Sequence, residues 1–537
     1  MTARTAAIAL FGVALAWRFL TFTGFTNDHY AHLALARQML LGDRPIRDFA
    51  DPGWPLQYLV SAAAWRLVDG AMVGEWALAA LAFAAGAAFT MLAAHRLSGS
   101  IVVAIVVTTA EILISPRTYS YPKILLYAAA GWMIVSAIGR PSRSRLVVLG
   151  LIVALAFLFR HDHGLYIGAA TAVYVVLASY PDGIRRAARA VGTLGAATVV
   201  FLTPWAVYVE ASGGIASYFR VGLEFSRAEA NATLLDFLPT FGLAPSVFSA
   251  ANADAWLFWL YWTLPLVCAV IVIVRAIRGQ QQWPGELAAV TGLSVLALCA
   301  NVGFVRHLLR TRLPDAIVPA VLLGAWALGL CWRGRWSRPV LRSVARVAAL
   351  AVVALSLVAI GLVASVSEQI DRTSVTRGAG PTLDRIRSIG FLLRQPHRQN
   401  LAPPGRVSET LMPFYAYLDR CSSRTDRLIV TNQSPDVPVL AGRKFAGYDA
   451  VMAPAYSSVS GQRQTLERLR ANPALFVVVI ERPEFRESYP VIDRYMTDEY
   501  EPMAILSGAL PEGVPILVHR ARTPIRTDAN TGWPCFR

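Results

Sequence analysis

Charge is what this chain of 537 residues has least of: Asp, Glu, Lys and Arg together make up 16% of it, against roughly 25% in an average soluble domain. With 55% hydrophobic residues and a mean hydropathy of +0.47, water is excluded as its main solvent. Other things are missing too. The polar tail carries no nucleophile triad, Gly-rich phosphate loop or metal-ligand cluster, which argues against catalysis there. No internal repeat stands out, and few span pairs are broken by Gly or Pro, which argues against a transporter. The opening MTARTAAIALFGVALAW lacks a convincing cleavable signal, because its apolar run continues to Phe25 as a first span.

What is present is a series of apolar stretches long enough for helices to cross the roughly 30 Å hydrocarbon layer. They fall near residues 5–24, 75–94, 100–115, 121–138, 145–160, 163–180, 189–209, 256–275, 285–304, 313–331 and 339–364. Residues 53–69 are apolar but short, and can be read as a span or as an interfacial helix. The net charge of +16 sits in short clusters between apolar runs, a membrane-topology pattern rather than a nucleic-acid one. If 53–69 does not cross, the basic loops at 95–100, 139–145, 183–189, 275–280 and 331–338 all fall on the cytoplasmic side. The expectation is therefore about eleven spans, a cytoplasmic N-terminus and an extracytoplasmic C-terminal domain in the plasma (inner) membrane. Residues 1–365 form the membrane domain, with outer loops 25–74 and 210–255, and residues 366–537 form the outer one. In that tail 427–431, 474–480 and 514–520 read as strands and 382–395, 408–420 and 461–471 as helices, a small α/β domain.

The first outer loop, GFTNDHYAHLALARQMLLGDRPIRDFADPGWPLQYL, resembles the GT-C superfamily of membrane glycosyltransferases, especially its protein mannosyltransferase and lipid A aminoarabinose transferase branch. The matching residues are Asp28, Tyr30, Ala36 to Gly42, Pro45, Arg47, Asp48, Phe49, Asp51, Pro55, Leu56 and Tyr58. The resemblance implies a GT-C-like membrane domain, a polyprenyl-phosphate sugar donor and Asp28 as catalytic base. Where relatives often carry a second acid, this chain has His29. Chemistry gives an independent reason for an acid here: transfer from a sugar phosphate to a hydroxyl needs a base for the acceptor proton, and the phosphate leaving group needs cations. The alternative for Asp28 is an N-cap on the helix that follows. Asp43, Asp48 and Asp51 read as loop ion pairs with Arg44 and Arg47, with Asp48 or Asp51 alternatively orienting substrate, and Tyr30 also a substrate-contact candidate.

Cations on the outer side break the positive-inside pattern and so carry information. Arg306, His307, Arg310 and Arg312 in RHLLRTR are candidates for the donor phosphate, which guanidinium forks bind bidentately; the alternative is snorkelling to lipid headgroups. Arg160 and His163 in FRHDHGLY are candidates for sugar or phosphate, set against an internal Arg160–Asp162 pair. Arg117 and Lys123 in SPRTYSYPK are binding candidates, with Tyr119 and Tyr121 beside them. Relatives often place an acid in this turn, and here none is present unless Glu111 takes its part. Arg18 and Glu111 lie within spans, where charge is costly. No metal site is assigned, since Asp28 and His32 alone are two ligands, although the reading leaves room for a divalent cation. The amphipathic stretch with Arg220, Glu224 and Arg227 reads as a surface helix, and Asn231 opens a weak glycosylation sequon. Cys268, Cys299 and Cys331 read as packing residues in spans; Cys421 and Cys535 both fall in the outer domain, where a disulfide is allowed.

The reading is a glycosyltransferase that moves a sugar from a polyprenyl-phosphate donor to a hydroxyl on an envelope glycan, lipid or protein acceptor. It needs the lipid bilayer and no nucleic acid. The alternative is a transporter or flippase of a lipid-linked glycan.

Overall fold

A segment surrounded by hydrocarbon has no water for its amides, so each apolar run closes its hydrogen bonds within itself as a helix. In the computed structural model the described residues are 2–117, 122–136, 139, 141–231, 239–242, 248–277, 284–305, 312–333, 339–394, 410–452, 457–508 and 513–537. Through the apolar part of the chain these run α1 (Ala3–Leu20), α2 (Asn27–Leu40), α3 (Pro55–Leu67), α4 (Val73–Ser98), α5 (Ile101–Leu113), α6 (Lys123–Ser136), α7 (Arg143–Phe159), α8 (His161–Ser179), α9 (Ile184–Ser212), α10 (Ile215–Asn231), α11 (Ala250–Ile277), α12 (Pro284–Val305), α13 (Ile317–Arg333) and α14 (Pro339–Val363). Hydroxyl caps start several of them: Thr2, Ser100 and Ser142 accept from the amides of Thr5, Val103 and Arg145.

Every expected span is a helix. Among the described residues eight helical segments are long and apolar enough to cross a membrane, so the chain is a multi-pass membrane protein. The stretches expected at 100–115, 121–138 and 145–160 form shorter helices of 13, 14 and 17 residues. Residues 53–69 hold α3, whose 13 residues extend only about 20 Å.

The chain divides into two compact units; the first expected outer loop, and the second as far as Asn231, belong to the second unit. The first comprises Met1–Phe22, Ala77–Trp205 and Ala232–Gly390; the second comprises Thr23–Trp76, Ala206–Asn231 and Phe391–Arg537. In the first unit, α8 packs on α7 and α12, and α11 on α12 and α14, around a core rich in alanine. Small residues let these backbones approach. A Cβ at Gly86 would lie 3.0 Å from the amide nitrogen of Leu125, and one at Gly150 3.0 Å from that of Thr198. Beyond α14 come α15 (Val366–Thr373) and α16 (Ala379–Arg394).

The second unit's C-terminal part is α/β, as its change of period implies. It runs α17 (Met412–Cys421), β1 (Arg427–Val430), α18 (Asp436–Ala441), β2 (Lys444–Phe445), α19 (Val459–Ala471), β3 (Phe476–Val478), α20 (Arg482–Ser488), α21 (Pro490–Glu499), β4 (Tyr500–Leu506), β5 (Val514–His519), β6 (Arg526–Thr527) and β7 (Pro534–Cys535). The main sheet has the order β2-β1-β3-β5-β4, parallel on the β1 side and antiparallel around β5; β6 and β7 pair separately. Cys421 and Cys535 are joined in a disulfide across 114 residues of chain, tying α17 to the final strand.

Candidate functional site

In the first unit, the polar groups that sequence order scatters are drawn to the turns between helices. The turn between α5 and α6 ends at Lys123, which is 1% exposed, and a buried ammonium needs a partner. That partner is Asp315, just ahead of α13: its Oδ2 lies 2.5 Å from Lys123 Nζ, and its Oδ1 accepts from the Arg117 amide at 3.2 Å. Asp315 thus supplies the acid this turn lacks in its own sequence. Glu111 is fully buried in α5. Arg18 donates to the carbonyl of Pro116 in the same turn and lies over the Phe83 ring at 4.2 Å.

The turn between α7 and α8 adds a second set. Arg160 Nε meets both Asp162 oxygens at 2.9 and 3.1 Å, so the internal pair weighed from sequence is present. The hydroxyl of Tyr127 on α6 bonds His163 Nδ1. The His163 ring lies in the combined field of Asp162, Arg160, Lys123 and Arg312, which brings four of the sequence candidates into one neighbourhood. Arg312 is half-buried, and its Nε is enclosed with no hydrogen-bond partner among the described residues. Arg18, Arg117, Lys123, Arg160 and Arg312 therefore face two acids, Asp162 and Asp315. A cluster with that surplus of positive charge and an unused buried donor suits an anion with several oxygens. Arg306, His307 and Arg310 lie outside the described residues, as do Tyr119 and Tyr121.

In the second unit, Asp28 sits half-buried on the first turn of α2. The capping role weighed for it belongs to Thr26: His29 Nδ1 accepts from the Thr26 amide at 3.2 Å, closing a capping box. The Asp28 carboxylate lies in the first turn, at the positive end of the helix. Tyr30 is 1% exposed and packs in the interior. His32 is fully buried, edge-on to Trp54 at 4.4 Å, with neither ring nitrogen hydrogen-bonded among the described residues. Burial pushes its pKa well below the usual histidine value, and that of His29 down to about 3, so both rings are neutral. Among the described residues the only group of three metal-capable side chains close together is Cys421, Asp528 and Cys535, whose two sulfurs are bonded to each other.

Asp51 is the hub of its loop. Its Oδ1 accepts from the amides of Gly53 and Trp54 at 2.9 and 3.1 Å, its Oδ2 from the Tyr58 hydroxyl at 3.2 Å, and Tyr218 of α10 also bonds to it. Burial first, then the adjacent carboxylate, raises the pKa of both tyrosines. Asp48 does pair with Arg47, at 2.7 Å. Asp43 does not take the expected loop partners: it bridges Lys444 at 2.6 Å and Arg427 at 2.8 Å. The stretch with Arg220 and Glu224 lies in α10 as read, while the sequon at Asn231 runs into residues outside the described ones.

No family model matches the chain, and no curated protein matches it. Among solved structures it is similar to ArnT from Cupriavidus metallidurans bound to undecaprenyl phosphate, with 14% identity, 96% of this chain and 97% of that one covered, and a TM-score of 0.48. It is also similar to the archaeal oligosaccharyltransferase AglB from Archaeoglobus fulgidus in complex with an inhibitory peptide and a dolichol-phosphate, with 11% identity, 97% and 75% covered, and a TM-score of 0.48. An Archaeoglobus fulgidus oligosaccharyltransferase tethered to an acceptor peptide gives 14% identity, 96% and 74% covered, and a TM-score of 0.48. At that distance a likeness in layout says nothing of which groups react.

Proposed function

We propose that this protein is a membrane glycosyltransferase that takes a sugar from a polyprenyl-phosphate donor and passes it, with inversion at C1, to a hydroxyl on an envelope glycan, lipid or protein. The observation that carries the reading is the surplus of cations at the first unit's turns, with Arg312 Nε buried and unused among the described residues. A lipid phosphate is the anion a membrane-embedded unit meets, and guanidinium groups stabilise the charge that grows on it as it leaves. Asp28 is the base: it takes the acceptor's hydroxyl proton as that oxygen bonds C1, while the C1–O bond breaks and its electron pair stays on the lipid phosphate. Non-cytoplasmic chemistry fits the Cys421–Cys535 disulfide, since such bonds persist in oxidising compartments.

The test is transfer from a panel of radiolabelled polyprenyl-phosphate sugars to envelope acceptors by purified protein, with Arg312→Gln beside the wild type. Transfer by the wild type, with donor KM raised about tenfold or more in Arg312→Gln, is expected. Vectorial movement of the lipid-linked sugar without any transfer would replace this reading with a flippase.

A further inference from the structure

A cleft of about 670 Å³ in the second unit is lined by Arg37, Trp65, Arg66, Asp69, Arg424 and Arg443, with Arg537 at its edge, and the transfer chemistry above makes no use of it. Its size falls within the roughly 300–1,000 Å³ of small-ligand sites. Its cations have different duties. Arg443 is only 4% exposed and is held by the carbonyls of Leu418, Ala441, Gly442 and Ser422, so it builds positive charge into the wall. Arg37 donates to the Val439 carbonyl at 2.9 Å and lies 5.0 Å from the Trp65 ring centre, which fixes the indole in place. Gly70, at a φ of +81°, lets the loop lie against that indole, since a Cβ there would meet the ring at 3.2 Å.

Arg66, Arg424 and Arg537 are exposed and have no acidic partner among the described residues. Five guanidinium groups thus face Asp69 and Asp419, an excess of cations. Like charges gathered around a concavity repel one another until an anion enters. A half-buried tryptophan in the wall adds an apolar face of the kind that packs on a sugar ring. We propose that this cleft binds an anionic glycan, its carboxylate or phosphate taken by Arg66 and Arg424 and a ring of the sugar resting on Trp65. The concavity and the fixed indole favour a glycan over the flat headgroup layer of a membrane. As the acceptor's seat the cleft rests on the transferase reading; as a glycan site it does not.

The experiment is calorimetric titration of the full-length protein in neutral detergent with tetragalacturonic acid, and with maltotetraose as the neutral counterpart. The acidic glycan is expected to bind at least about tenfold tighter, with affinity falling as salt rises. Arg66→Gln with Arg424→Gln, both exposed positions, should weaken it about tenfold or more at an unchanged thermal midpoint, and Trp65→Ala should weaken both glycans. Equal affinity for the two glycans, no binding of the acidic one up to about 1 mM, or unaltered binding by the double variant overturns the proposal. So does flotation with phosphatidylglycerol vesicles that the double variant loses while the glycan never binds, which would give the patch to lipid headgroups. Binding needs no donor, so it can succeed or fail independently of transfer.

Discussion

Asp315 and Asp51 are carboxylates of similar burden handled in opposite ways. In the first unit, Asp315 is matched by charge: the nearly inaccessible Lys123 ammonium sits against it, with the Arg117 amide on its other oxygen. In the second, Asp51 accepts from neutral donors, two amides and the hydroxyls of Tyr58 and Tyr218. An ion pair in an apolar surrounding depends on both partners, because removing one strands the other. A hydrogen-bonded hub degrades donor by donor. The comparison teaches that the two units satisfy a carboxylate by different means, an ion pair at the first unit's turns and a set of neutral donors in the loop around Asp51.

The sharpest way to break the comparison is to strand Asp315. Lys123→Met should cost about 3–5 kcal/mol, and Lys123→Met with Asp315→Leu should recover most of it; thermal unfolding in detergent reads both. Reduction of the Cys421–Cys535 bond should act on the second unit only, lowering its stability by about 2–5 kcal/mol, seen as new proteolytic cleavage within Met412–Arg537. Tyr218→Phe removes one donor of the Asp51 hub and should cost about 1–2 kcal/mol; a cost as large as that of Lys123→Met would erase the contrast.

The mildest effect is one of pH. His29 is held neutral by burial, with its pKa down at about 3 against an ordinary 6.5. Between those values the unfolded chain binds a proton that the folded one refuses, so the stability is complete above pH 6.5 and falls with acid at up to about 1.4 kcal/mol per pH unit. Proteolytic opening of the second unit should therefore rise as pH drops from 6.5 to 5, and His29→Gln should flatten that slope.

Local pattern made the helices legible: each apolar run is one, and the shortness of 53–69 already pointed to a helix like α3. The strands at β1, β3 and β5 were legible from their unbroken apolar runs. β2, two residues long, and β4, with Glu501 and Pro502 in it, carry no such signal. For the site, sequence found the cations but not what they face. Lys123 read as a binding candidate and not as half of an ion pair, because the acid that holds it lies 192 positions away at Asp315; the only hint was an Asp directly after RTRLP. Asp43 read as a loop pair because Arg427 and Lys444 belong to a distant strand region. Asp51 read as a loop ion pair or a substrate contact and not as a hub, since Tyr218 reaches it from beyond seven intervening apolar runs. Charge clusters are local facts of a sequence; their partners are facts of packing.

The claim that Asp28 is the base of a lipid-phosphate-dependent transfer is met most directly by comparing wild type and Asp28→Asn in the same lipid, reading donor binding and transfer in parallel. Donor binding kept, with transfer lowered by about a hundredfold or more, is the predicted result. Transfer by Asp28→Asn at the wild-type rate would contradict it.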